Sequence, residues 1–117
     1  MNMEEMNLRN YAYIGDAVWE LYVREKTVKM TNNAKNLHKI TTDMVKASHQ
    51  AALLQNFEAD LTEEEKELAR RARNLPIPIA RRSNQAEYRQ ATAFETLIGW
   101  WYYYKKDRLN YFISKYC

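Results

Sequence analysis

Residues 13–20 read YIGDAVWE, and residues 91–99 read ATAFETLIG. These two stretches hold both glycines of the chain, Gly15 and Gly99, each where the surrounding pattern predicts a helix. A glycine inside a helix costs about 1 kcal/mol relative to alanine. What it offers in return is room, because without a β-carbon another backbone can come close. The placement predicts that the two helices cross at their glycines. Asp16 follows Gly15, and Glu95 lies one helical turn before Gly99 on the same face, so such a crossing would make the two carboxylates neighbours.

Composition supports helices throughout. Two glycines and two prolines in 117 residues leave too few turn formers for an all-β domain, and no Gly-rich loop is present to cradle a nucleotide. The length suits a single domain over 1–117. With 46% hydrophobic and 28% charged residues, the chain is neither a disordered tail nor a membrane bundle. No apolar run reaches the roughly 18 residues a membrane span needs, and the start MNMEEMNLRN does not read as a signal peptide. The lone cysteine, Cys117, excludes a disulfide framework. A cytoplasmic location is the expectation.

Apolar spacing predicts a first helix over about 7–26, carried by Leu8, Tyr11, Gly15, Val18, Trp19 and Tyr22. A second helical region, capped by Asn32 or Asn33, extends to about Gln55 with a break expected near Thr41 and Thr42. Thr62 and Glu65 form a capping box that opens a helix ending near Asn74. Residues 75–84 (LPIPIARRSN) form a loop, a helix follows from about Asn84 to Lys105, and a short one covers 107–115.

The net charge of +3 is unevenly spread. Residues 58–67 carry six acids and one lysine, while residues 70–89 carry six arginines (Arg70, Arg71, Arg73, Arg81, Arg82 and Arg89) against Glu87 alone. Arginine matches phosphate with a bidentate fork, so that stretch is either a phosphate-backbone track or a solvated face balanced by the acids before it. The acids at the crossing also leave two readings open. Each could pair with an arginine, or both could share a divalent ion such as Mg²⁺, which prefers oxygen ligands and keeps waters. Glu20 shares the face of Asp16 and sits at pairing distance from Arg24. His38 and His49 lack the companions of a metal site. The run WWYYY at 100–104 implies burial on more than one side, or an interface.

The chain resembles the ribonuclease III endonuclease-domain family, in its minimal branch, mini-ribonuclease III, which lacks a double-stranded-RNA-binding domain. The resemblance rests on AYIGDA at 12–17 with an acid at Glu20, NLHK at 36–39, LTEEE at 61–65, RARN at 71–74 and YRQATAFETLIG at 88–99, in that order. It implies an all-α fold, a homodimer, and Mg²⁺-dependent cleavage of double-stranded RNA, with Mn²⁺ as a substitute ion and 5′-phosphate products. The implied substrate is a large-subunit ribosomal RNA precursor, with no DNA and no membrane partner. By position, Asp16 and Glu95 are the metal-binding catalytic acids, and Tyr13 is the side chain inserted into the partner subunit. The further acids of larger relatives fall at Ala12 and Thr92 here, as is usual for the minimal branch. Arg70, Arg71, Arg73, Asn74, Arg81, Arg82 and Lys46 are the expected RNA contacts.

Two departures bear on substrate preference. Relatives continue RGRN into a Gly-containing loop with lysine and serine, whereas Ala72 replaces that glycine and Leu75-Pro76-Ile77-Pro78 follows. Where relatives read VSAK, this chain reads Val45-Lys46-Ala47-Ser48, which displaces the lysine. Two alternatives stand beside the nuclease. One is a non-catalytic module on the same fold that binds structured RNA or the ribosome; the other is a helical interaction domain using its 100–104 face.

Overall fold

The computed structural model describes residues 3–77 and 84–117. Six helices follow in order: α1 (Met3–Thr27), α2 (Ala34–Val45), α3 (Ala47–Phe57), α4 (Glu63–Arg73), α5 (Gln85–Tyr104) and α6 (Lys106–Tyr116). A 3-10 turn at Glu58–Asp60 links α3 to α4, and the described residues include no strand. The all-α expectation holds.

α5 is the central element. It packs against α1, α3, α4 and α6, and its residues Ala91, Ala93, Phe94, Thr96–Trp101 are buried. The core is built of rings. Phe57 lies 5.7 Å from Phe94, 6.1 Å from Trp101 and 4.8 Å from Phe112, and Trp101 stacks on Phe112 at 4.5 Å. Trp19 meets Phe94 edge-on at 5.1 Å. Fully buried aromatic side chains of this size dominate a small core, each contributing about 1.5–3 kcal/mol through burial. Trp19 is held further because its Nε1 donates to the Met44 carbonyl at 3.1 Å.

The two glycines do what their placement predicts. A β-carbon on Gly15 would overlap the Glu95 carbonyl oxygen and lie 2.9 Å from the Gly99 nitrogen, and one on Gly99 would overlap the Tyr11 carbonyl oxygen. Neither glycine has a positive φ, so space rather than backbone geometry requires them. With Gly15 against Glu95 and Gly99 against Tyr11, α1 and α5 run antiparallel through the crossing.

Several sequence expectations need correction. The break expected near Thr41 and Thr42 falls instead at Lys46, whose ψ of 157° is extended. Thr41 stays helical because its hydroxyl meets that of Thr27 at 2.9 Å. α2 itself buries no residue: Leu37 and Ile40 are half-buried, and Met44 and Val45 rest on the core that Leu53, Leu54 and Phe57 of α3 enter. Asn33 caps α2 through the Asn36 amide, and α3 runs two residues beyond Gln55. The WWYYY run divides: Trp100 and Trp101 are buried, while Tyr103 and Tyr104 are exposed.

The capping box at Thr62 and Glu65 forms as expected, and Glu65 does more than cap. Its carboxylate also accepts from Trp101 Nε1 at 2.8 Å and from Arg108 Nε at 2.9 Å. Those bonds pin α4 to α5 and α6, and they hold the carboxyl below its usual range despite burial. On the surface, Asp60 accepts from Tyr111, Lys115 and Tyr116 of α6.

Candidate active site

The α1–α5 crossing brings Asp16 and Glu95 into hydrogen-bonding contact. Asp16 is on the exposed side and Glu95 is half-buried beside it. The Glu95 carboxyl is pushed up to about 8 by burial first, then by the hydrogen bond and charge of Asp16. The Gln50 amide, 3.5 Å away, acts weakly in the opposite sense. Among the described residues no cationic side chain acts on Glu95, so the reading in which an arginine neutralises it finds no support there. Two carboxyls in contact repel when both are ionised, and a proton or an added cation must relieve them.

Such a pair fits Mg²⁺, which takes one or two carboxylates and keeps its remaining positions for water and phosphate. Among the described residues no group of three or more His, Cys, Asp or Glu side chains could form an all-protein metal cage. Ala12 and Thr92 stand where further acids would enlarge the site; Thr92 instead bonds its hydroxyl back to the Tyr88 carbonyl at 2.9 Å. Glu20 pairs with Arg24 at 3.3 Å, the plain i,i+4 outcome.

The expected RNA contacts are only partly gathered. Arg70, Arg71, Arg73 and Asn74 sit at the C-terminal end of α4. Arg70 pairs with Glu67 through Nε at 3.0 Å, and Arg73 lies 3.6 Å from Glu58. The Arg70–Glu67 pair lies open to solvent and the Arg73–Glu58 pair is partly exposed, so both add little to the fold. Lys46 lies at the α2–α3 junction, 3.6 Å from Asp43. Arg81 and Arg82 lie outside the described residues. Arg89, grouped with the arginine stretch by sequence, braces the fold, since its Nη1 donates to the Arg73 carbonyl at 2.5 Å. Arg9, which the sequence did not single out, donates to the Pro76 carbonyl at 3.0 Å. Together they tie the end of α4 and the start of the following loop to α5 and α1.

Tyr13 is 83% exposed, and Leu21, Val28, Tyr103 and Tyr104 are also largely open to solvent. No helix among the described residues is long and apolar enough to cross a membrane. Gln50 escaped the sequence reading. The available signal was its phase: it shares a stripe with Leu53, Leu54 and Phe57, where a polar side chain is unexpected.

The model of the ribonuclease III domain matches residues 9–106. A mini-ribonuclease 3 from Gloeobacter violaceus is 40% identical over 94% of this chain and 82% of its own length. A mini-ribonuclease 3-like protein from Ilyobacter polytropus is 44% identical over 78% of this chain and 72% of its own. A crystal structure of a Fusobacterium nucleatum protein superposes with a TM-score of 0.83 at 33% identity, covering 92% of this chain and 88% of the other. An all-α fold organised around two acids at a glycine-tight crossing, together with these likenesses, places the chain in the ribonuclease III domain family, in its mini-ribonuclease III branch, as an endoribonuclease.

Proposed function

We propose that this chain is a divalent-metal-dependent endoribonuclease that cuts double-stranded RNA as a homodimer, with Asp16 and Glu95 as its catalytic acids. The observation that carries this reading is the contact between those two carboxyls, with no cationic side chain among the described residues acting on Glu95. A pair placed for fold stability would have a cation, as Glu65 has in Arg108. Relatives named mini-ribonuclease 3 support the same activity class. A large-subunit ribosomal RNA precursor is the proposed substrate, and 5′-phosphate and 3′-hydroxyl ends are the proposed products.

Asp16 and Glu95 would hold Mg²⁺, or Mn²⁺ in its place, from the two crossing helices. Bound there, the ion supplies Lewis acidity toward a phosphoryl oxygen and acidifies water. The chain's own residues do the rest. The glycine crossing fixes the two acids relative to each other. The α4 arginines and Asn74, with Lys46 and with Arg81 and Arg82 of the loop, would grip phosphates and 2′-hydroxyls of an A-form duplex, whose shape is read more than its sequence. The open Tyr13 side chain is available to insert into a second copy. A two-fold dimer would then present one acid pair to each strand.

The test is cleavage of an end-labelled RNA duplex with Mg²⁺ and with EDTA, alongside sedimentation to read the oligomeric state. The expected result is cutting in Mg²⁺ only, by a dimer that Tyr13→Ala weakens. Cutting in EDTA would overturn the metal reading. Salt-sensitive duplex binding with no cutting under either condition would replace the nuclease by an RNA-binding module.

A further inference from the structure

Gln50 of α3 is 2% exposed, and its Nε2 donates to Glu95 Oε2 at 3.5 Å. A carboxamide in the buried stripe of Leu53, Leu54 and Phe57 costs free energy unless its polar atoms find partners. Leucine would fill the same space without that requirement, so space alone does not account for glutamine. Its chemistry suits the neighbour. A neutral amide restrains a carboxylate without neutralising it, as arginine would, and without adding a third negative charge. It also comes from a third helix, packed on α5 independently of the α1 crossing. Groups that hydrogen-bond to metal-ligating side chains fix their orientation and are worth about 10–100-fold in metal affinity or rate.

We infer that Gln50 is a positioning residue, whose amide orients the Glu95 carboxylate toward a divalent cation shared with Asp16. The inference rests on the metal-dependent reading of the Asp16–Glu95 pair.

Gln50→Met conserves volume and removes the donor. Mn²⁺ binding, read from the electron paramagnetic resonance signal of the free ion, is expected to weaken about 10–100-fold in this variant. The kcat on an RNA duplex should fall by a similar factor while KM and helical circular dichroism stay near wild type. A second measurement needs only a folded wild-type chain: the Gln50 side-chain amide resonances should shift on adding Mg²⁺, and should not in Glu95→Gln. Wild-type Mn²⁺ affinity and kcat in Gln50→Met, or an amide silent to Mg²⁺ in a wild type that binds the ion, overturns the positioning role and leaves the metal site standing. A wild type that binds no Mn²⁺ overturns both.

Discussion

Two glutamates of this molecule sit in partly or fully buried positions on facing helices and meet opposite fates. Glu65 on α4 receives a backbone amide, an indole and a guanidinium, and its carboxyl is lowered. Among the described residues Glu95 on α5 meets another acid and a single neutral amide, and its carboxyl is raised. Burial is common to both, so burial does not separate structure from function. The separation lies in whether the fold completes the partner set. Where it does, the acid ties three helices together; where it stops short, the acid keeps the capacity for the divalent ion proposed above.

Each prediction breaks one side of this comparison. The largest effect is on rate. Glu95→Gln should lower duplex cleavage by about 10³-fold or more, the scale of several kcal/mol of lost transition-state stabilisation. Its melting temperature in EDTA should be unchanged or raised, because the neutral amide removes the cost of holding a buried ionisable carboxyl in its protonated form beside Asp16. A cleavage assay run beside thermal unfolding would show any departure from that split.

Arg108→Met acts on the other glutamate. It strands the Glu65 carboxylate without its cation and should lower stability by about 3 kcal/mol, visible as a shifted urea midpoint, with cleavage by the remaining folded protein near wild type. Gly15→Ala strikes between the two. Its β-carbon meets the Glu95 backbone, so about 1–3 kcal/mol of stability should go and cleavage with it. A crossing that yields without cost, read as unchanged unfolding and unchanged rate, would show that the acids do not depend on that close approach.

Acidity separates the two glutamates by sign. Glu65 is depressed in the fold, so its contribution is full above the ordinary carboxylate pKa near 4 and is lost as pH falls through its folded value. Glu95 is raised, so in EDTA the folded protein binds more protons than the unfolded chain between about pH 4 and 8. Stability should therefore fall as pH rises across that window and fall again at strong acid, with Glu95→Gln removing only the first slope. Urea midpoints against pH test both limbs. The smallest effect is at the surface: Arg70→Gln should leave the urea midpoint near wild type yet reduce the salt dependence of duplex binding by about one phosphate contact.

Which of these features the sequence revealed depends on how local their causes are. Gly15 and Gly99 announced the crossing because glycine weakens a helix interior and its compensation is close backbone approach; the acids beside them came with it. The Thr62–Glu65 box was legible across three residues, but the bonds of Glu65 to Trp101 and Arg108 join positions 36 and 43 residues apart and left no periodic trace. The α2–α3 break was misplaced because two adjacent threonines are weak helix formers, while the hydroxyl contact of Thr41 with Thr27 that keeps it helical is tertiary. Gln50 left a faint signal, a polar residue in an apolar phase, whose meaning appears only once α3 lies on α5. The role of Arg89 changed for the same reason: its partner is a carbonyl 16 residues away, and sequence shows only its charge.

The most direct test is a time course of RNA-duplex cleavage in Mg²⁺ for Glu95→Gln beside Glu65→Gln, each corrected for its folded fraction. The account predicts that Glu65→Gln cuts at the wild-type rate per folded molecule and that Glu95→Gln does not cut. Cleavage by Glu95→Gln, or an equal loss in both, would contradict it.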